Sequence, residues 1–237
     1  MATRRDRRES KGILHDFLEW VGLLGFIYGP LDRRLSVRDA LEKALSRPIP
    51  HISWWGCFGG ISLFLFLVQI GTGVVLMFFY VPTDPEAYHS IRYLNGTAPF
   101  GWLVRSTHHW SGNGMIFALF IHVIRVFVTG AYQRPRDLNW MVGMALFLFT
   151  LSFALTGYLL PWSQTAFWTT VFWTDMIGQI PIVGQWLLVL IRGGELVSGA
   201  TLTRFYAMHV AVLPILTIVF MAIHFAIIRR LGIKEPL

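Results

Sequence analysis

The 237-residue chain reads as an all-α membrane protein, a bundle of four transmembrane helices. Both termini are expected on the cytoplasmic side, and interfacial helices are expected between helices three and four. Three observations predict this. Hydrophobic residues make up 54% of the chain and charged residues only 14%, where a soluble domain carries about 25% charged. Four long runs are almost free of charge, and in lipid only a helix or a closed barrel satisfies its own backbone. Basic residues crowd one side of those runs. Aromatics at 15%, with 10 Trp, suit a protein with two interfaces to anchor. An ordinary soluble domain and a disordered chain are both excluded, since each needs more polar surface.

The elements follow in order. Residues 1–50 form a charged surface segment, and 51–237 the bundle domain. The first segment holds 10 of the 20 Lys and Arg but also 7 of the 13 Asp and Glu. The net charge of +7 is therefore no nucleic-acid patch, and no nucleic-acid partner is expected. Ser36 with Asp39 opens a short amphipathic helix that Pro48 ends. No secretory signal is read at the N-terminus. Span one runs from about Trp54 to Tyr80, span two from Arg105 to Gly130, span three from Asn139 to Leu160, and span four from Phe205 to Ile228. Pro161 stops span three, because proline lacks a donor and clashes with the preceding turn. Residues 164–191, interrupted by Asp175, Gly178, Pro181 and Gly184 and carrying Trp168, Trp173 and Trp186, read as helices lying at an interface. One face of the spans has 16 Lys and Arg and the other has Arg92, Arg105, Arg192 and Arg204. The termini are therefore placed on the cytoplasmic face, and spans two and four run in the same direction.

Ionisable residues inside spans are functional candidates. His108 and His122 lie 14 apart in span two; His209 and His224 lie 15 apart in span four. At about 100° per residue each pair stays on one helix face, with its members about 21–22 Å apart along the axis. On parallel helices His108 can meet His209 near the outer surface, and His122 can meet His224 near the inner one. That is a geometry for two bis-histidine haems stacked across one membrane. His109 points about 100° away from His108 and has no matched partner. Gly59 and Gly73 in span one, and Gly143 and Gly157 in span three, repeat the 14-residue spacing. Without a Cβ they let backbone approach a haem edge closely, or they pack helices as small residues do. Arg105, Arg125, Arg204 and Arg229 flank the four histidines, suited to haem propionates or to snorkelling toward headgroups. Cys57 is the single cysteine, so an internal disulfide and a multi-thiolate metal site are excluded. Taken alone it reads as a buried apolar thiol. A di-haem anchor subunit of a dehydrogenase or hydrogenase, and a transporter without haem, remain as rivals.

The stretches RSTHHWSGNGM, FIHVIRVFVTGAY, RPRDLNW, LTGYLLPWSQ, TLTRFYAMHVAVLPI and HFAIIRRLGIKEPL resemble the cytochrome b6 type of cytochrome b, the N-terminal half of the split protein. The resemblance covers about residues 48–237, and the 15-residue spacing in span four is itself the b6-type pattern. The charged extension over residues 1–35 departs from that pattern.

The resemblance implies an electron-transfer subunit of a quinol-oxidising b6f or bc complex, coupled to proton translocation. His108 and His209 would hold the outer, low-potential b haem, and His122 and His224 the inner, high-potential one. Cys57, in the stretch from His51 to Gly60, would bind a c-type haem covalently, with Arg229 beside it. A quinol site would lie between span three and the following helix, with Tyr158, Pro161 and Trp162 as candidates; the family usually has Asp or Gly where Ser163 stands. The Pro-Glu-Trp-Tyr motif of that site is absent from this chain, so the chain alone is not expected to oxidise quinol. The implied partners are a subunit IV-like C-terminal half of cytochrome b, a Rieske iron–sulfur protein, a c-type cytochrome, a second copy in a homodimeric complex, quinone and lipid. A bacterial cytoplasmic membrane is expected rather than a thylakoid.

Overall fold

Long apolar stretches wind into helices because nearly every N–H then finds a carbonyl in the same helix, which lipid cannot supply; the fourth span carries Pro214 in the first turn of its last helical segment. The computed structural model of the chain describes residues 54–233; the charged segment 1–50, its expected helix at Ser36–Pro48 and His51 lie outside the described residues. After a 3-10 turn at Trp54–Gly56 come α1 (Phe58–Met77), α2 (Glu86–Gly96), α3 (Gly101–Val128), α4 (Asp137–Leu159), α5 (Gln164–Gly178), α6 (Gly184–Arg192) and α7 (Gly199–Ala207). A π turn at Met208–Val212 leads into α8 (Leu213–Leu231). No strand occurs among the described residues. Four helices are long and apolar enough to cross a membrane: α1, α3, α4, and the continuous stretch Gly199–Leu231.

Two span starts fall earlier than expected. Span two begins at Gly101 and span four at Gly199. The second shift has a local cause: Ser198 and Thr201 form a capping box, which satisfies two orphan amides and starts the helix before its apolar run. The short helix α2 was not foreseen. It buries Ala87, Ser90 and Leu94, three positions on one helical face of an otherwise polar segment. The two interfacial helices expected at 164–191 are α5 and α6, α5 being capped by Ser163, whose Oγ accepts from the Ala166 amide at 3.3 Å.

α1 packs along α3 and α4 packs along α8, while α3 and α4 touch sparingly. The bundle is thus two tight helix pairs with space between them. Side-chain polar ties hold the first pair. Gln69 Nε2 donates to the His108 carbonyl at 2.6 Å and to Ser111 Oγ at 3.1 Å, as expected where lipid removes the hydrophobic drive between helices. One end is closed by a core of Tyr80, Ala87, Leu159, Leu202 and Phe205, with Trp162 and Trp173 packed against it. Arg192 clamps this end. Only 3% exposed, it donates to Thr174 Oγ1, to the Val171 and Glu195 carbonyls, and to Asp175 Oδ1 at 2.7 Å. Its own carbonyl accepts from buried Thr201. Every nitrogen of the buried guanidinium therefore has an acceptor, the condition under which such a charge is tolerated.

Candidate functional site

The structure resolves an apparent mismatch between the histidine pairs. Uninterrupted α-helix would turn the 14-residue pair about 40° short of whole turns and the 15-residue pair about 60° beyond them. His209, however, lies inside the π turn Met208–Val212. A π turn closes i→i+5 and so absorbs one residue. Fifteen residues then behave as fourteen, and the two pairs come into the same register.

His108 of α3 and His209 stand across the gap between the helix pairs, with ring centroids 6.3 Å apart and planes at 63°. A metal held about 2 Å from a nitrogen of each ring would put the ring centres roughly 6 Å apart. Both rings line a cavity of about 530 Å³, together with Arg105, Tyr158 and Pro161. Phe153 stacks edge-on to His209 at 5.4 Å. His122 and His224 lie within electrostatic reach of each other at the other end of the spans. Among the described residues no three His, Cys, Asp or Glu side chains converge on a common point, and the histidines are brought together in twos.

Each expected glycine sits against one histidine. A Cβ on Gly157 would lie 2.7 Å from His209 Cε1, on Gly59 3.1 Å from His122 Cε1, on Gly73 3.3 Å from His108 Cε1, and on Gly143 3.4 Å from His224 Cε1. The expectation was close approach to a haem edge; the structure puts a histidine ring there. Each glycine belongs to the helix paired with its histidine's helix. The glycines are seats that let the imidazole Cε1 edge come close to the neighbouring backbone.

The ring nitrogens can be assigned at one end. Thr72 Oγ1 donates to the Val68 carbonyl at 2.6 Å and lies 2.8 Å from His108 Nδ1. Its one proton is spent on that carbonyl, so Nδ1–H must be the donor between them. Thr156 repeats this, donating to the Ser152 carbonyl at 2.7 Å and lying 3.1 Å from His209 Nδ1. Both rings therefore keep the Nε2 lone pair for a metal. At the other end, His122 Nδ1 is buried with no hydrogen bond. His224 Nδ1 is directed at the Asn139 backbone but makes no hydrogen bond of ordinary geometry. The apolar cavity, the glycine seats and the free Nε2 atoms together fit a haem between His108 and His209, and the His122/His224 pair shares the glycine seats.

The remaining candidates separate. Arg105 lines the cavity and reaches Asn95 Oδ1 at 3.4 Å. Arg204 instead donates to the Leu190 carbonyl and covers Gly193, which ties it to the end of α6. Arg125 lies one turn after His122, and Arg229 is exposed in the last turn of α8. Tyr158 and Pro161 share the cavity with His108 and His209. Trp162 turns away to pack on the end core and against Phe167. Cys57 is exposed at the start of α1, contrary to the buried thiol expected of an isolated cysteine, and it lies two residues from the seat of His122. His109 is exposed, with Asn113 at 3.4 Å.

Sequence reasoning missed Thr72, Thr156 and Tyr80. The first two had a signal: of the three Thr-Gly pairs in the sequence, those at 72–73 in α1 and 156–157 in α4 end on a seat glycine, while Thr129-Gly130 follows α3. Tyr80 OH donates to the Leu160 carbonyl at 2.7 Å and fixes the chain next to Pro161. Burial, with Tyr206 beside it, pushes this phenol far above its ordinary value, so it stays a neutral donor.

Known proteins resemble the chain over most of its length. The family model described as Cytochrome b/b6/petB matches residues 44–232. The cytochrome b6 of Synechococcus sp. (strain JA-3-3Ab) is 45% identical over 212 residues, covering 89% of this chain and 99% of that protein. The cytochrome b6 of Prochlorococcus marinus (strain NATL1A) is 42% identical over 212 residues, covering 89% of this chain and 97% of that protein. A chain of a solved hyperthermophilic respiratory complex III superposes with a TM-score of 0.80 at 30% identity, covering 92% of this chain; this chain spans 56% of that one's length. The match over most of the chain, with the histidine pairs and their glycine seats inside it, shows that this protein belongs to the cytochrome b/b6 family.

Proposed function

We propose that this chain is the haem-bearing electron-transfer subunit of a bc or b6f-type quinol oxidoreductase. It would move electrons from an outer quinol site through two b haems to an inner quinone site, with proton translocation. The observation that carries the reading is the His108/His209 pair, 6.3 Å apart across a cavity between two helix pairs, with each ring seated on a glycine.

His108 and His209 hold the outer haem through Nε2, and His122 and His224 the inner one. Bound haems supply one-electron carriers at two depths of the membrane. Thr72 and Thr156 keep Nδ1–H of the outer ligands from turning toward the metal. Arg105, at the cavity wall, suits an outer propionate; Arg125 and Arg229 serve the inner side, while Arg204 is already engaged by α6. Tyr158 and Pro161 share the cavity, which supports a quinol site there, and the Tyr80 bond to Leu160 holds that turn in place. Exposure of Cys57 supports a covalent c-type haem beside the inner pair.

The chain lacks the Pro-Glu-Trp-Tyr motif of the quinol site, so quinol oxidation requires a subunit IV-like chain. A Rieske protein and a c-type cytochrome complete the path, and the complex is assigned as a homodimer in a bacterial cytoplasmic membrane. In each span's most apolar window only 11% is buried within the chain, which leaves broad surface for those subunits and for lipid.

The test is a pyridine haemochrome assay on the purified complex, with haem staining of this chain on a denaturing gel. Two b haems and one covalently stained band are expected. Cys57→Ser should remove the stained band and keep both b haems. A colourless complex overturns the reading; b haems without a stained band remove the Cys57 assignment alone.

A further inference from the structure

The two histidine pairs differ in what their Nδ1 atoms meet. At the His108/His209 end, a threonine hydroxyl already oriented by its own bond to backbone stands 2.8 Å from one Nδ1 and 3.1 Å from the other. At the His122/His224 end, no side-chain hydroxyl reaches either Nδ1 among the described residues. The difference is written at matching positions. The residue before each seat glycine is Thr72 or Thr156 at one end, and Phe58 or Val142 at the other.

An acceptor on Nδ1–H makes the opposite nitrogen of an imidazole a stronger donor. A stronger donor stabilises the more highly charged, oxidised iron and lowers its reduction potential. Both ligands at one end carry a hydroxyl acceptor, whereas at the other end His122 has none and His224 has only the Asn139 backbone nearby, without a hydrogen bond of ordinary geometry, so the two hydroxyl effects add in one direction. We infer that Thr72 and Thr156 are positioning residues that hold His108 and His209 in the Nδ1–H form and lower the potential of the haem between them relative to its neighbour. This rests on the proposed haem function and adds a cause for the direction of electron flow: the site that accepts first is the weaker oxidant, so the electron falls on to the next.

The experiment is an optical redox titration of the purified complex, comparing Thr72→Val, Thr156→Val, Thr72→Ser, Thr156→Ser and Val142→Thr. Valine keeps the branched shape and removes the hydroxyl; serine keeps the hydroxyl. Each valine variant should change the oxidised-to-reduced ratio of the His108/His209 haem about tenfold toward reduced at fixed potential, a rise of about 59 mV for a one-electron couple. The serine variants should hold the wild-type value, and the other haem should not move. Val142→Thr puts a hydroxyl at the equivalent place beside the His224 seat and should lower that haem's potential. Loss of the outer haem from a valine variant but not from its serine counterpart upholds the hydroxyl's role in holding the ring. With haem content intact, matched behaviour of valine and serine variants, or equal movement of both haems, overturns the inference while leaving the proposed function standing. A wild-type complex with no haem overturns both.

Discussion

At the residue scale, the four seats are not equivalent, and their spacing ranks them. A methyl group on Gly157 would fall 2.7 Å from His209 Cε1, closer than atoms can stand, and that ring is already tied by Thr156. On Gly143 it would meet His224 at 3.4 Å, an ordinary contact. Gly157→Ala should therefore displace His209, cost about 1–3 kcal/mol in overpacking and strip the haem it shares with His108. Gly143→Ala should leave both haems in place. Haem content of the two purified variants checks this; equal loss would mean the seats act through general helix packing. His122→Ala should remove the haem it shares with His224 and spare the other, and loss of both together would undo the pairing. The histidines and glycines were legible because their spacing repeats across separate spans. The threonines were not, because a hydroxyl in a span most often bonds to its own helix. Thr72 and Thr156 do that as well, and only the fold shows the imidazole on the other side.

At the element scale, the π turn is what makes unequal spacings equal. The segment Met208–Val212 carries His209 itself, so the extra residue is absorbed at the ligand rather than somewhere remote. Composition does not announce a π turn; the only trace in the sequence was that one pair is 14 apart and the other 15. Deleting Ala211 should let the span become continuous α-helix with a 14-residue spacing that matches His108–His122, and both haems should survive. Deleting Ala118 from α3 gives 13, which turns one histidine about 100° out of register, and one haem should be lost. Absorption spectra of the two deletion variants separate these outcomes, and haem loss from the Ala211 deletion would show that the turn has another role. Helix α2 escaped sequence reading for a different reason. Eleven residues with a polar face give a short signal that only packing converts into structure, with Ala87 in the end core and Leu94 buried on the same helix.

At the scale of the whole molecule, the spans, their number and the space between the helix pairs follow from apolar length and spacing, whereas their orientation in the membrane rests on charge alone. Basic residues beside a span resist transfer across the bilayer, and acidic residues count for little in that balance. The 7 acids in residues 1–50 therefore do not cancel its 10 Lys and Arg, and the 16-to-4 bias keeps its sign. An even number of spans returns the chain to the side it started from. Arg192 sharpens the bias, because it is buried and ion-paired in the end core and is not a free charge at the sparse face. Epitope tags at both termini should be cut by protease in inside-out vesicles and protected in right-side-out ones. Tags on opposite sides would refute the four-span count; both tags protected in inside-out vesicles would invert the bundle. Inversion would put His122 and His224 on the outer side, with Cys57, and the threonine-tied pair would then face the inner quinone site. Two tags thus decide which end of the chain receives the electron first.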